Sequence, residues 1–593
     1  MREPTPWPIV DARDLAAREG AAAVVRELLA RRSRAPQSAA WISQPSPDAL
    51  WARAAEIDAA LAAGADLPLA GVPFAVKDNI DVAEVATTAG CAEFAYVPVA
   101  SAPVVEQLLA AGAVFAGKTN LDQFATGLVG TRAPRYGPCR NPLDPDLIAG
   151  GSSSGSAIVV ATGEVPFALG TDTAGSGRVP AALCGIVGAK PAPGVLSNEG
   201  VVPAMRSFDC ISVFTGNAAD AETVYDVWRI AMPGPVAPPL RLGIPTPIDW
   251  HGDDDARACF EGVVVQLIAL GCAVEEVDAA PMYDAGALLY GSALVAERYA
   301  AFGEFALAHR DALDPAVFAI VERAREFHAS ELLSARASLR AQRDAVARAW
   351  WSRVDALIVP TVARIPTFAE SLADLMGPSV ELGQLTAFVN PLGLAALSVP
   401  AGRRSSGLPF GVTLVGPGAS ERALLALAPA FVVEPAATLE PSAEATVPSD
   451  PSDPSDAQLA TRPLRIAVVG AHLTGQPLNH QLTDRGAVLC ASTATADEYR
   501  LYALATTPPK PGLVRTPGRG AAIDVEVWAI DTAGFGEFVA AIPAPLGIGK
   551  VQLADGSEVP GFVCEPYAID DAPDITEHGG WRAYLAASAS LDG

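Results

Sequence analysis

One segment of this sequence separates two parts that have to fold independently. Between Glu434 and Arg462 almost every residue is Ala, Pro, Ser, Thr, Asp or Glu, and the run PSDPSDPSD is a short repeat. Such a segment carries too little apolar surface to offset the conformational entropy that ordering it would cost. We therefore predict a flexible linker at 434–462, with one domain at 1–433 and a second domain at 463–593.

The hydrophobic pattern before the linker alternates between helix and strand. AAAVVRELLARR and DALWARAAEIDAALAAG have the spacing of amphipathic helices, whereas GVPFAVKD, AVFAGKTN and FGVTLVGP are short apolar runs that end in turn-forming residues. This alternation predicts an α/β domain in which helices cover a mixed β-sheet. After residue 463, the runs IAVVG and VEVWAI and the candidate hairpin VQLADGSEVPGFV predict a smaller, β-rich domain.

Charge and cysteine content exclude several classes of function. The formal net charge is −26, which argues against a nucleic-acid partner because no basic patch is available to neutralise phosphates. No stretch reaches the roughly 18 apolar residues of a membrane span, and the first residues lack an apolar signal core. The eight cysteines form no Cys-x-x-Cys pair and do not neighbour histidine at metal-ligand spacing. We expect a cytoplasmic protein without a membrane partner, a metal or a cofactor.

Two glycine- and serine-rich runs carry the candidate chemistry. GGSSSGSA begins at Gly150, GTDTAGSGRVP begins at Gly170, and an isolated VKDN precedes both. A serine becomes a nucleophile only when a nearby base takes its proton, and none of the six histidines lies in these segments. A lysine can act as that base once burial makes it neutral, and Lys77 of VKDN ends an apolar run. The alternative is a surface lysine near ordinary loop serines.

The combination of these motifs resembles the amidase signature family, and the resemblance extends to about Phe431 through GVPFAVKDNIDV, AGAVFAGKTNLDQFATG and PLGLAALSVPAG. It implies the family's mixed-sheet fold and a catalytic triad of Lys77, Ser152 and Ser176. In that triad Ser176 is the nucleophile, and Ser152, which follows a cis peptide bond, relays protons to Lys77. The small residues of the loop before the nucleophile suit an oxyanion hole made by the backbone N–H groups of 173–175, which are Thr173, Ala174 and Gly175. Asp172 either braces this loop or caps a helix.

Three segments resemble the allophanate hydrolases within that family. They are LDQFATGLVGTR, which contributes Gly127 to the substrate site, DTAGSGRVPAA, and LLYGSALVAERYA, which contributes Tyr290 and Arg298. Allophanate is a urea that bears a carboxylate, and the planar guanidinium of arginine suits a carboxylate best. We expect Tyr290 and Arg298 to lie on one side of a single helix. The alternatives are a surface ion pair of Arg298 with Glu297 or Glu304, and Arg178 as the carboxylate partner; Arg135 marks a departure from the family's loop.

The resemblance implies that allophanate is hydrolysed through an acyl-enzyme on Ser176, with release of ammonia. The second domain resembles gamma-glutamyl cyclotransferases, and its VGAHLTGQPLN places His472 in a glycine-flanked loop. That domain either assists decarboxylation of the product or is only a binding or dimerisation module. The resemblance further implies a homodimer and a functional link to a biotin-dependent urea carboxylase or to triazine-degrading enzymes. The alternative functions are an amidase for another small amide, and the glutaminase (amidase) subunit of a tRNA-dependent amidotransferase.

Overall fold

The structure, a computed structural model, describes residues 6–35, 38–230, 240–431 and 464–589, apart from 505, 507–508, 531–533, 536–537, 540–541, 544 and 570–571. The chain divides into two compact units, Met1–Glu440 and Pro441–Gly593. Each unit is considered by itself. The segment 434–462, predicted to be a linker, lies outside the described residues.

The first unit contains a large mixed sheet. In the described residues its strands are β1 Trp41–Ser43, β2 Pro73–Lys77, β3 Val114–Thr119, β4 Phe167–Asp172, β5 Val187–Lys190, β6 Cys210–Thr215, β7 Arg241–Thr246, β8 Ala273–Asp278, β9 Ala356–Pro360, β10 Ala395–Arg403 and β11 Pro409–Gly416. Their order across the sheet is β1-β3-β2-β4-β6-β5-β10-β11-β9-β7-β8. Strand β2 is parallel to β3 and β4, whereas β4 is antiparallel to β6. The predicted mixed sheet is therefore confirmed.

Helices accompany the sheet along the whole unit. In the described residues they are α1 Ile9–Glu19, α2 Ala21–Arg34, α3 Pro47–Ala62, α4 Pro103–Ala110, α5 Ser154–Ala161, α6 Val179–Cys184, α7 Ala218–Val227, α8 Asp254–Ala269, α9 Ala280–Gly291, α10 Ala296–Ala308, α11 Pro315–Arg323, α12 Ala329–Ala349, α13 Phe368–Ala373, α14 Gly377–Gly383 and α15 Glu421–Leu427. The two amphipathic runs near the amino terminus form α2 and α3, as their spacing predicts. None of the helices described combines the length and apolar composition that crossing a bilayer requires.

The central strands are buried on both faces, and this explains their sequence. All residues of β2 and β4 are buried, and the rings of Phe74 and Phe167 stack between these strands at 5.4 Å. A strand covered on both sides has no polar face, so it appears in the sequence as a continuous apolar run. Because β2 and β4 are parallel neighbours, Lys77 and Asp172 end their strands at the same edge of the sheet. Ligands of open α/β sheets bind at such edges.

The second unit is rich in β-structure, as predicted. Its described strands are β12 Leu464–Val468, β13 Val488–Ala494, β14 Tyr499–Leu504, β15 Lys510–Arg515, β16 Asp524–Ile530, β17 Leu546–Gln552 and β18 Glu558–Cys564, with the helices α16 His480–Thr483 and α17 Trp581–Ala589. They form a five-stranded sheet, β13-β16-β12-β18-β17, and the ladder β14-β15. The predicted hairpin is the pair β17 and β18, in which Gln552 lies opposite Glu558 and Gly556 occupies the turn with φ +85°.

Candidate active site

Three separate elements bring the predicted triad together at one edge of the large sheet. Lys77 is the last residue of β2, Ser152 lies two residues before α5, and Ser176 lies in the loop between β4 and α6. All three side chains are buried, with Lys77 and Ser152 fully so and Ser176 3% exposed. The nucleophile candidate is the one that keeps a small exposed surface, which a reacting group needs.

A continuous hydrogen-bond chain joins the three side chains. Lys77 Nζ lies 2.8 Å from Ser152 Oγ, and Ser152 Oγ lies 2.9 Å from Ser176 Oγ. The Gly151–Ser152 peptide bond is cis. Position 151 has no room for a side chain, because a Cβ there would lie 2.3 Å from Asp122 Oδ2. This geometry allows a proton to pass from Ser176 to Lys77 through Ser152.

Burial gives Lys77 the protonation behaviour of a base. Removal from water lowers the pKa of its ammonium from 10.5 to about 7, although the negative charges of Asp122, Asp172 and Asp209 favour the charged form. A general base works best when its pKa lies near the pH of operation. Near neutral pH, Lys77 therefore has a substantial neutral fraction able to accept a proton.

Asp172 organises the loop that carries the nucleophile. Its carboxylate accepts hydrogen bonds from the N–H groups of Gly175 (3.0 Å) and Gly177 (2.9 Å). It also forms a buried bidentate ion pair with Arg178, in which Nε and Nη2 each lie 2.9 Å from a carboxylate oxygen. Asp172 is thus a loop brace, and it does not cap α6, whose first turn has no side-chain cap. Because Arg178 is consumed by this ion pair, it does not serve as the carboxylate reader that the sequence left open.

The bracing also decides which backbone groups can stabilise an oxyanion. The Gly175 N–H donates to Asp172, so it is occupied. In the described part of the chain the N–H groups of Thr173, Ala174 and Ser176 have no acceptor. Thr386 Oγ1 donates to the Ala174 carbonyl at 2.7 Å and fixes the orientation of that peptide. The available donors therefore belong to 173, 174 and 176 rather than to 173–175.

Arg298 is fully buried, and its guanidinium is only partly paired. Its Nη1 donates to Thr126 Oγ1 at 2.6 Å, while Nε and Nη2 have no partner within the described residues. Its Cζ lies 5.1 Å from the centre of the Tyr290 ring, an arrangement that allows a cation–π contact. Glu297 instead pairs with Arg336, so the surface ion pair considered for Arg298 is absent from the described structure. A buried cation with two free donors is a site for an anionic ligand.

The expectation of one helix for Tyr290 and Arg298 is wrong. Helix α9 ends at Gly291, a turn of 3₁₀-helix spans Ala293–Val295, and α10 begins at Ala296. The Ser292 side chain accepts a hydrogen bond from the Leu294 N–H at 3.3 Å and stabilises this break. The two side chains meet because the chain turns between them, and not because they share a helix face.

Gly127 and Tyr290 also border a cavity of about 890 Å³. Gly127 has φ +151°, and a Cβ there would lie 2.6 Å from Asp122 Oδ2. Helices α13 and α14 supply much of the opposite wall, and Arg364 ties them together through Glu370 (2.9 Å) and Glu381 (2.7 Å). The exposed Arg135 lies outside this lining, just after Ala133, which begins a tight turn closed by the Gly137 N–H.

Sequence reasoning missed two threonines that contact the candidate residues. Thr126 accepts the hydrogen bond of Arg298, and Thr171 Oγ1 lies 2.8 Å from Lys77 Nζ. Both lie inside the candidate motifs, Thr126 in LDQFATG and Thr171 in GTDTAGS. Their positions in those motifs were the available signal, because residues beside a catalytic group on a strand or tight loop are held near it.

His472 lies in the second unit between aromatic rings. It is 8% exposed, its ring stacks on Phe562 at 4.9 Å, and Nε2 lies 3.0 Å from Gln481 Oε1. Burial lowers the pKa of its imidazole below the usual 6.5. The loop around it is tied to Glu526, whose Oε2 accepts from the Thr474 N–H at 2.8 Å. Among the residues described, no group of His, Cys, Asp and Glu is arranged to hold a metal ion.

Comparisons with known proteins agree for both units. The family model "Amidase" matches residues 23–425, and the model "Allophanate hydrolase C-terminal domain" matches residues 464–586. The urea amidolyase of Saccharomyces cerevisiae is 40% identical over 597 residues, which cover 95% of this chain and 32% of that protein. This chain therefore spans about a third of the length of that relative.

Solved structures give the same result. The allophanate hydrolase of Kluyveromyces lactis has a TM-score of 0.68 and 37% identity, with coverage of 98% of this chain and 99% of that one. A glutamyl-tRNA(Gln) amidotransferase chain from Synechococcus sp. is 34% identical, but the match covers only 64% of this chain and 87% of that one. Only the first of these two accounts for the second unit as well. The chain belongs to the amidase family, and its two matched domains place it among the allophanate hydrolases.

Proposed function

We propose that this chain hydrolyses allophanate and releases ammonia from its terminal amide. The observation that carries the proposal is the buried guanidinium of Arg298, which presents two unpaired donors. Two parallel N–H donors match the two oxygens of one carboxylate. Simple amides and glutamine side chains offer no carboxylate next to the scissile amide, so they would leave this cation without a partner.

The electrostatics connect Arg298 to the nucleophile loop. Asp209 Oδ1 accepts a hydrogen bond from Thr173 Oγ1 at 2.6 Å. Burial raises the pKa of Asp209, and the positive charge of Arg298 acts against that rise. The candidate carboxylate reader and the candidate oxyanion loop thus face the same buried carboxylate. This proximity supports a small substrate that is held at one end and attacked at the other.

The proposed mechanism uses only groups of this chain and water. Ser176 Oγ attacks the terminal carbonyl carbon while its proton passes through Ser152 to Lys77. The N–H groups of 173, 174 and 176 stabilise the oxyanion. Lys77 then returns the proton through Ser152 to the leaving nitrogen, and ammonia departs. Water attacks the acyl-enzyme in the same way and frees N-carboxycarbamate, which loses carbon dioxide to give carbamate and then a second ammonia.

The purified chain tests this proposal directly. Ammonia release is measured with allophanate, with acetamide and with glutamine, and we expect activity on allophanate to dominate. Ser176→Ala should abolish it, whereas Ser197→Ala, which changes an exposed turn serine, should leave it intact. Equal activity on all three amides would refute the proposed substrate. Turnover by Ser176→Ala would refute the proposed nucleophile.

We infer that the second unit assists the loss of carbon dioxide through His472. Because burial favours the uncharged imidazole, His472 would act as a hydrogen-bonding group rather than as a fixed cation. The test follows ¹³C-labelled allophanate by NMR. His472→Ala should prolong the lifetime of N-carboxycarbamate without slowing the first ammonia release. Unchanged decay of the intermediate would leave the unit with a binding or dimerisation role.

The supply of substrate is a further part of this proposal. The relatives named urea amidolyase are about three times as long as this chain, as its 32% coverage of the S. cerevisiae protein indicates. We propose that a biotin-dependent carboxylation of urea, on another chain or domain, produces the allophanate. Supply from triazine breakdown, the cytoplasmic location and the homodimer remain predictions.

A further inference from the structure

The amine of Lys77 has two hydrogen-bond partners in the described structure, and both are uncharged. Ser152 Oγ and Thr171 Oγ1 each lie 2.8 Å from Nζ. No ion pair joins Lys77 to a carboxylate within the described residues. When Lys77 accepts a proton it therefore becomes a buried ammonium whose direct stabilisation comes from two hydroxyl oxygens.

The carboxylates that face Lys77 are occupied by other donors. Asp122, in the loop after β3, accepts from the N–H groups of Val129, Gly130 and Arg132, and Asp172, at the end of β4, is paired with Arg178. Asp209, before β6, accepts from Thr173 and from the Met205 N–H. These groups act on Lys77 only through space, so its contacts are left to Ser152 and Thr171.

Asn79 determines which way the Thr171 hydroxyl can act. Its Nδ2 lies 3.1 Å from the Val202 carbonyl, which identifies that atom as the amide nitrogen, and 3.3 Å from Thr171 Oγ1. An amide nitrogen only donates, so Thr171 Oγ1 accepts from Asn79 with one lone pair. Its second lone pair is left for Lys77. An ammonium also only donates, so this arrangement fits the protonated lysine.

We propose that Thr171, oriented by Asn79, is a positioning residue that stabilises the protonated form of Lys77 during acyl transfer. The inference rests on the proposed role of Lys77 as the base. In the first step the O–H bond of Ser176 breaks as its oxygen bonds to the substrate carbon. Ser152 takes that proton and gives its own to Lys77. Two N–H bonds of the resulting ammonium then point at Thr171 and Ser152, and neither needs to move.

Loss of this acceptor has a defined sign. Without the Thr171 hydroxyl, one N–H of the buried ammonium lacks a partner, so the charged form becomes less favourable and the pKa of Lys77 falls. Loss of one hydrogen bond to a charged group corresponds to a shift of about one pH unit. The acid limb of any reaction that needs neutral Lys77 should therefore move to lower pH by about that amount.

The test measures labelling of Ser176 by a phosphonofluoridate as a function of pH. In this reaction Ser176 oxygen bonds to phosphorus, the P–F bond breaks, fluoride leaves and the serine proton passes to Lys77. Because the reagent is not an amide, the result does not depend on the natural substrate. The variants are Thr171→Val, which keeps the branched shape, Thr171→Ser, which keeps the hydroxyl, and Thr413→Val, a buried strand threonine that contacts Thr361.

We expect the acid limb of Thr171→Val to lie about one pH unit below that of the wild type, with a plateau rate about three- to tenfold lower because a weaker base accepts the proton. Thr171→Ser and Thr413→Val should retain the wild-type limb. If Thr171→Val does not fold, Thr171→Ala is measured instead, with the same expected direction. A limb that stays in place or moves to higher pH in the hydroxyl-free variant would overturn the inference. Normal labelling of the wild type without ammonia release from allophanate would instead refute the proposed substrate.

Discussion

Replacing Arg298 with alanine should change which substrate the enzyme prefers. The guanidinium is fully buried, and Nε and Nη2 are free to form two charge-assisted hydrogen bonds with one carboxylate. Loss of such a contact costs about 3 kcal/mol, because the substrate carboxylate would then sit unpaired in a dry site. That free energy corresponds to a decrease of about 100-fold in kcat/KM for allophanate.

The assay compares kcat/KM for allophanate with kcat/KM for biuret, an amide of similar shape that has no carboxylate. In Arg298→Ala the ratio of the two values should fall by about 100-fold, since biuret never uses the cation. Arg298→Lys should lie between wild type and Arg298→Ala, because a point charge cannot replace a planar fork. Tyr290→Phe should leave the ratio closer to the wild-type value.

A matched control separates recognition from packing. Arg336 lies nearby on α12, is half-exposed and pairs with Glu297, so Arg336→Ala removes an arginine near α10 without touching the buried site. Its ratio should equal that of the wild type. If Arg298→Ala lowers kcat/KM equally for allophanate and biuret, Arg298 has a structural role, and the carboxylate must be read elsewhere.

Four further outcomes follow from the geometry. Ammonia release from allophanate should increase as pH rises through about 7, because Lys77 must lose its proton to act as a base; a kcat/KM profile flat from pH 5 to 8 would contradict this. Thr126→Val should weaken the orientation of Arg298 and raise KM for allophanate more than for biuret, as initial rates would reveal. Gly127→Ala should lower kcat/KM about tenfold, since the new Cβ would lie within 2.6 Å of a buried carboxylate oxygen at φ +151°; activity equal to wild type would show that the loop yields freely. A truncated chain of residues 1–433 should fold and still release ammonia, whereas aggregation on gel filtration would show that the second unit is needed.

The elements that position the site were predictable because each is encoded locally. Strand β2 is a buried apolar run that ends at Lys77, and five such residues between turn-forming residues are typical of a strand covered on both faces. The loop 173–176 consists of small residues because its backbone must turn sharply and expose N–H groups. Features of this kind depend on residues close together in sequence. Motif reasoning therefore recovered the chemistry before the three-dimensional arrangement was known.

The partners of the candidate residues depend on contacts between distant parts of the chain. Arg178 looked like a carboxylate reader because it follows the nucleophile, yet its guanidinium is held by Asp172, Thr386 and Asn390. The break between α9 and α10 was missed because the run LLYGSALVAERYA has helical spacing throughout, and only a serine side chain accepting a backbone N–H stabilises the turn. Periodicity reports which face is apolar, but it does not report where a chain turns back on itself.

The buried ion pair behind the loop explains how a lysine can be the base in so acidic a setting. An unpaired carboxylate beside Lys77 would favour the ammonium and hold its proton. Burial by itself favours the neutral acid of Asp172, but Arg178, Lys190 and the Gly177 N–H together keep the pKa of that carboxyl below its ordinary value. Asp172 is therefore charged, and it can brace the loop without adding a free negative charge, because Arg178 cancels it. The same ion pair thus shapes the oxyanion loop and keeps Lys77 available as a base, so a variant that breaks it should disturb both the rate and the pH dependence of catalysis.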